Sequence, residues 1–304
     1  MDRQKVLAIV GPTGIGKTSL SVWLAKQLDG EIISCESMQV YKKMDIGTAK
    51  VTQEEMQGIH HELIDVQNYN EPYNVKVFQE KCRTAIEDVV KRGKFPILCG
   101  GTGLYLKAAL YDYEFQEENE DIAYTTFLNS KTNEELVAML KEKDEKALEK
   151  IHPNNRKRLI RALQICHSGT SKSEQEDKQQ HIPLYDVYFL GLDVNRDILH
   201  DRINKRVDIM FENGLVKEVK DLFTNPETWE YTSFQGIGYK EFKDYFLKEK
   251  SIDEVKTAIK THSRQYAKRQ YTWFKNQMPV HWFEAQNRDE IYSAVKEWLM
   301  DEDK

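Results

Sequence analysis

The 304-residue sequence has no uninterrupted apolar run approaching the roughly 18–20 residues that cross a bilayer, which excludes a membrane-spanning reading. Met1 to Lys5 lead directly into an apolar strand-like run, leaving no room for a signal peptide and setting a cytoplasmic expectation. Cysteine is scarce. Cys35, Cys82, Cys99 and Cys166 stand far apart with no C-x-x-C pair, so reduced thiols are expected in place of a metal or disulfide framework. There is no excess of positive charge: the net charge is −6, so any nucleic-acid site must come from local clustering. No N-K-x-D tetrapeptide is present, which disfavours a GTPase. No strand ends in the apolar-run-plus-Asp pattern of a motor ATPase. With no coiled-coil heptads either, a monomer is the default.

What is present is a phosphate cradle. Val6 to Val10 is a short apolar run that reads as a buried strand, and Ser19 to Ala25 has helical spacing. Between them lie Gly11, Pro12, Thr13, Gly14, Ile15, Gly16, Lys17 and Thr18, a G-x-x-x-x-G-K-T loop in the strand–loop–helix context of a P-loop. The glycines let the backbone curl so that successive N–H groups point inward, and the helix N-terminus adds partial positive charge. Lys17 supplies a full charge, and the Thr18 hydroxyl is placed to hold Mg²⁺. The chain therefore binds a di- or triphosphate.

Further along, Glu31 to Cys35 reads as a second strand ending in Glu36-Ser37-Met38-Gln39. Residues past the carboxyl ends of parallel strands line the ligand crevice of an open α/β sheet, which sets Glu36 and Gln39 beside the phosphates. Adjacent His60 and His61 lack the i, i+4 spacing of a helical zinc pair, so no metal is assigned to them. A helix is expected over Val75–Val90, then a strand over Phe95–Cys99 and a second glycine turn, Gly100 to Tyr105, where Thr102 offers a hydroxyl. The composition changes near Tyr111. Phe115 to Glu120 is acidic, Ile122 to Lys150 is highly charged and helical, and His152 to Arg161 carries Arg156, Lys157, Arg158 and Arg161 with no acid. Residues 169–182 read as a polar, mobile loop before a strand resumes at Val187–Leu192.

The expected fold is α/β: a P-loop NTPase-like parallel sheet flanked by helices, with a helical insertion. The core is assigned to residues 1–113 and 186–304 and the insertion to 114–185; the alternative is one domain whose helical layer includes that stretch. From Asp197, Leu199, Ile203, Val207 and Met210 recur at helical spacing, placing Arg202 and Arg206 one turn apart as candidate phosphate clamps. Gln235 to Lys240 is a glycine-spaced loop, and Ser251-Ile252-Asp253-Glu254 has the capping-box spacing that opens a long helix. From Val255 to Phe283 there is no acidic residue; Lys268, Arg269 and Lys275 interleave with Tyr266, Tyr271, Trp273 and Trp282. Cations for phosphates with aromatics for bases are the footprint of nucleic-acid contact; the alternative is a helix with core aromatics and solvated cations. A small-molecule or nucleoside kinase remains open on this reading, with Glu36 as base and the arginines as phosphoryl clamps. So does a non-catalytic RNA-binding protein.

Gly11–Thr18 (GPTGIGKT), Glu36–Tyr41 (ESMQVY), Met44–Lys50 (MDIGTAK), Gly100–Tyr105 (GGTGLY), His152–Leu163 (HPNNRKRLIRAL), Gln235–Glu241 (QGIGYKE) and Arg264–Phe274 (RQYAKRQYTWF) resemble, in order, the tRNA dimethylallyltransferases, also called tRNA isopentenyltransferases. The resemblance implies transfer of a five-carbon prenyl group from dimethylallyl diphosphate to the exocyclic amine of the adenine 3′-adjacent to the anticodon, with diphosphate released. It implies that the P-loop holds the diphosphate with Mg²⁺, that Thr13 and Arg206 stabilise its departure, and that Glu36 accepts the amine proton. It further implies tRNA contacts from Glu36, Ser37, Met38, Gln39 and Thr102, and from Lys157, Arg158 and Arg161 in the insertion. Gln235, Gly236, Gly238, Tyr239 and Lys240, with Lys268, Arg269, Gln270, Trp273 and Lys275, would line the other side. Two departures stand out. The family's pattern has Asp where this chain has Glu36, and Asp112 to Asn129 lacks the arginine expected for an early insertion contact.

Overall fold

The structure, a computed structural model, describes residues 3–115, 121–178 and 181–301. Six strands form one sheet in the order β3-β2-β4-β1-β5-β6, parallel throughout. The central strand β1 (Lys5–Val10) has Val6 to Val10 fully buried, as expected of a parallel strand covered by helices on both faces. Helix α1 (Lys17–Leu28) follows the P-loop, and β2 (Gly30–Ser34) ends one residue before the expected strand. A one-turn helix α2 (Gln53–Met56) carries a Thr52/Glu55 capping box, and the short β3 (His61–Glu62) takes in the second of the paired histidines. Helix α3 (Val75–Lys91) buries Phe78, Cys82, Ile86 and Val89 at helical spacing. It leads into β4 (Phe95–Gly100), and α4 (Gly103–Leu110) leaves the second glycine turn. The register pairs Val10 with Gly100, so the P-loop and the Gly100–Gly103 turn leave the same sheet edge side by side.

The chain divides into two units: residues 1–111 with 183–304, and residues 112–182. The second unit contains α5 (Ile122–Asn129), α6 (Asn133–Asp144), α7 (Arg156–His167) and α8 (Lys172–Lys178). It has its own core, in which Leu128, Leu136, Leu140, Leu159 and Leu163 are fully buried. Arg156, read from sequence as one of a basic cluster, is a structural staple here. Its guanidinium donates to the carbonyls of Lys131 (2.7 Å) and Asn129 (2.9 Å), satisfying groups at the end of α5 and just past it. The stretch read as a mobile loop contains α8, anchored where Ser173 donates to the Asp144 carboxylate at 2.6 Å. Most of the acidic stretch before α5, residues 116–120, lies outside the described residues, as do Gln179 and Gln180.

The sheet resumes at β5 (Asp186–Asp193), followed by α9 (Arg196–Glu212), α10 (Leu215–Leu222), one-turn α11 (Lys243–Phe246) and the long α12 (Ile252–Gln277). Gln235 ends one short 3₁₀ turn and Lys240 begins another, with the glycine-spaced loop between them. The acid-free run is not one helix: α12 stops at Gln277, and Trp282 and Phe283 belong to β6 (His281–Glu284), the edge strand beside β5. Helix α13 (Arg288–Met300) closes the chain. No helix among the described residues is long and apolar enough to cross a membrane. Truncating Leu163 to Ala should cost about 2–5 kcal/mol in the helical unit. Denaturant titration of the purified variant reads this directly, and unchanged stability would contradict the packing described.

Candidate active site

The P-loop backbone is held open by glycines where side chains would strain: Gly14 and Gly16 sit at φ 80° and 108°. At its end Lys17 is almost fully buried. Its ammonium donates to the carbonyls of Gly11 (3.0 Å) and Pro12 (3.1 Å) and lies 3.3 Å from a Glu36 carboxylate oxygen. Gly11 and Pro12 thus contribute through their carbonyls. Thr18 is exposed at the first turn of α1, and its hydroxyl has no hydrogen-bond partner among the described residues. The loop from Thr13 to Thr18, Glu36 to Gln39, Arg206 and Gln235 to Ile237 line one cavity of about 970 Å³.

Glu36 is fixed from two sides. The Gly101 amide donates to the same carboxylate oxygen at 2.9 Å that faces Lys17. Across the cavity, Arg206 on α9 donates to the Thr13 hydroxyl at 3.0 Å and to the Ala49 carbonyl at 3.1 Å. Burial lowers the Arg206 pKa while Glu36 and Glu55 pull it back up; a guanidinium starting this high stays cationic. Arg202, one turn earlier, is exposed and reaches the Ile15 carbonyl at 3.4 Å, but does not line the cavity.

Residues 37–39 are held by their own network. The Gln39 amide donates to the Ala49 carbonyl at 3.1 Å, the Ser37 backbone amide donates to the Thr102 hydroxyl at 3.2 Å, and Met38 packs against Gly236. Gln235 and Lys240 are exposed at the cavity wall. Tyr266 reaches the same wall from α12. Burial pushes its phenol up to about 12; Glu36 adds to this, and a hydrogen bond with Thr102 opposes it. Further along α12, Lys268, Arg269 and Lys275 are exposed and Trp273 is half-buried. The Lys275 ammonium lies 4.5 Å from the Tyr271 ring centroid, a cation–π arrangement. In the helical unit, Lys157, Arg158 and Arg161 stand exposed along α7.

Three expected RNA contacts are corrected. Gln270 is buried, and its amide is used at both ends inside the protein. Tyr239 is fully buried, with its hydroxyl donating to Glu218 at 2.7 Å. Gly238 is buried, and its amide donates to Glu241 at 2.9 Å. All three are engaged in hydrogen bonds inside the protein. Sequence reasoning also missed Glu218 on α10. It accepts from the backbone amides of Asp45 (2.9 Å), Ile46 (2.7 Å) and Gly47 (3.0 Å) as well as from Tyr239, so one carboxylate shapes the loop that forms a cavity wall. The three backbone amides it holds lie more than 170 positions away in sequence, and no local signal marks it.

The IPP transferase family model matches residues 39–277. The tRNA dimethylallyltransferase of Bacillus anthracis is 48% identical over 301 residues, covering 97% of this chain and 96% of the relative. The solved full-length tRNA isopentenylpyrophosphate transferase of Bacillus halodurans superposes with a TM-score of 0.75 at 41% identity, covering 98% of this chain and 97% of that one. A eukaryotic dimethylallyltransferase, described as acting on tRNA, superposes with a TM-score of 0.81 at 31% identity, over 98% of this chain and 78% of that one.

Replacing Glu218 with Ala strips an acceptor from three backbone amides and one phenol; leaving a buried donor unsatisfied costs about 1–3 kcal/mol. Thermal unfolding of Glu218→Ala should therefore show a clearly lowered midpoint. A midpoint equal to that of the parent would remove Glu218 from this role.

Proposed function

The chain belongs to the IPP transferase family, whose members compared above prenylate tRNA, and we propose that it acts as a cytoplasmic, monomeric enzyme on the adenine 3′-adjacent to the anticodon. Dimethylallyl diphosphate is the donor, the exocyclic amine of that adenine is the acceptor, and diphosphate is the product released. One observation carries this reading. A buried P-loop lysine and a carboxylate share an ion pair inside a cavity also lined by an arginine–threonine pair, which gives leaving-group stabilisation and a proton acceptor in one place. A metabolite kinase needs no acid-free run bearing Lys268, Arg269 and Trp273, and family membership favours tRNA prenylation over phosphoryl transfer.

In this mechanism the P-loop amides and Lys17 bind the diphosphate, with the Thr13–Arg206 pair placed to stabilise charge as it develops on the departing group. Arg202 reaches the P-loop at Ile15 and adds positive charge beside it. The donor set also fits Mg²⁺. Mg²⁺ keeps several waters and takes few protein oxygens alongside phosphate oxygens, and the unpartnered, exposed Thr18 hydroxyl suits that demand. When bound, the ion supplies neutralisation of diphosphate charge. The allylic C–O bond breaks with its electron pair leaving on the diphosphate oxygen. The adenine amine's lone pair forms the new C–N bond, and the proton it sheds passes to Glu36.

The Lys17 ammonium, 3.3 Å from Glu36, is placed to meet the diphosphate beside the carboxylate. The Gly101 amide holds the Glu36 carboxylate by a hydrogen bond of 2.9 Å. For the target base to reach Glu36 it must leave the anticodon-loop stack, since its amine is otherwise inaccessible. Thr102, Lys240, Lys268, Arg269, Trp273 and Lys275 suit the surrounding single-stranded bases and phosphates, and Lys157, Arg158 and Arg161 suit the stem backbone.

Incubating purified protein with unmodified tRNA and dimethylallyl diphosphate, then mass-analysing the nucleosides, should yield prenylated adenosine. No prenylated product, with ADP formed from ATP and a metabolite, would establish the kinase reading instead. Glu36→Ala should cut turnover by about 10²–10⁴-fold, the usual contribution of a general base, with tRNA affinity by filter binding held near wild type. Arg206→Ala should both slow transfer and weaken diphosphate binding. Parent values of either pair would make that side chain structural.

A further inference from the structure

Glu36 and Thr13 belong to different loops, after β2 and β1, which meet directly at the Lys17–Glu36 ion pair. A side chain from a third element makes a second tie between them. The Gln270 amide oxygen accepts from the Thr13 backbone N–H at 2.9 Å, and its amide nitrogen donates to the Gly101 carbonyl at 2.9 Å. Gly101, through its own N–H, holds the Glu36 carboxylate at 2.9 Å, while the Thr13 hydroxyl accepts from Arg206. One buried amide on α12 therefore touches Thr13 of the leaving-group pair directly and stands one residue, Gly101, away from the proton acceptor.

The site is built for this side chain. Gln270 is among the few buried polar residues and has both ends of its amide satisfied, as a buried polar group must. A Cβ at Gly101 would overlap the Gln270 amide nitrogen, so only glycine admits the contact. The same helix grips α9, the carrier of Arg206: Lys256 and Lys260 pair with Asp208 at 2.6 and 2.7 Å, and Arg264 donates to Asn204. Within three positions of Gln270, Lys268, Arg269 and Trp273 face outward toward solvent or partly so.

We propose that Gln270 is a positioning residue that sets the separation between the Glu36 carboxylate and the Thr13–Arg206 pair, and that it ties this separation to the helix that meets the RNA. The proposal rests on the reading of the site given above. It assigns Gln270 no contact with substrate. An amide is required because the bridge needs one acceptor, for the Thr13 N–H, and one donor, for the Gly101 carbonyl.

That requirement gives a test a mere space-filling role would fail. Gln270→Met keeps length and bulk but makes neither hydrogen bond. Its kcat should fall about 10–100-fold, the scale of an ångström-level misplacement, with KM for donor and tRNA within about two-fold. In Gln270→Glu the introduced carboxyl, when protonated, has the same one-acceptor, one-donor pattern as the amide; ionised, it loses the donor. Its kcat relative to the parent should therefore be close to full at low pH and fall as pH rises through the introduced group's pKa. Parent-like kcat in a folded Gln270→Met protein, or a Gln270→Glu to parent ratio that does not vary with pH, overturns the proposal. If Gln270→Met does not fold, the pH profile of Gln270→Glu decides. A parent protein that fails to prenylate tRNA overturns the functional reading first, a result distinct from either variant outcome.

Discussion

The site depends on a buried ammonium. Lys17 lies under the P-loop with little exposure, and a cation taken out of water must be met by oxygens or it destabilises the fold. The carbonyls of Gly11 and Pro12 meet it, which requires the loop to curl back over its own lysine, and the φ values of Gly14 and Gly16 permit that curl. Glu36 supplies the compensating charge. The same pairing places the carboxylate beside the phosphate cradle. On the proposed function, the electrostatic demand that orders the loop also sets the acid where a reacting amine would use it, beside the leaving group.

Helix α12 carries the other constraint. Its buried stripe, Val255, Ile259, Ala267, Gln270 and Phe274, packs inward, while its cations face out or pair with α9. The sheet brings the P-loop and the Gly101 turn to one edge, and α12 crosses that edge to touch both. Glu218 does the equivalent for the loop at Asp45 to Gly47, replacing a run of unsatisfied amides with one acceptor. Long-range polar contacts, more than local propensity, give the cavity its walls.

How much of this was legible in the sequence follows from range. The P-loop is contiguous, and its glycines, lysine and threonine state their roles within eight positions of chain. Glu36 was legible because parallel strands deliver their ends to one edge, and Arg206 because it repeats with Arg202 beside an apolar stripe. Gln270 was misassigned to the RNA face although the period held the answer: it lies three residues after Ala267 and four before Phe274, on the buried side. Tyr239 reads as one more aromatic of a loop; only the partner Glu218 explains its burial. The edge strand β6 was hidden in an acid-free aromatic run because four residues beside a partner strand carry little pattern of their own. Glu218 and Gly101's hold on Glu36 join residues far apart in sequence and left no local trace.

The central claim is that the phosphates bound at Lys17 leave with the bond and are never transferred. The most direct measurement uses dimethylallyl diphosphate labelled separately in the prenyl carbon chain and in the phosphates, incubated with the protein and unmodified tRNA. The account predicts that carbon label accumulates in tRNA while an equal amount of phosphate label is recovered as free diphosphate. Phosphate label in the RNA, or carbon label released as free alcohol with none in the tRNA, would contradict it.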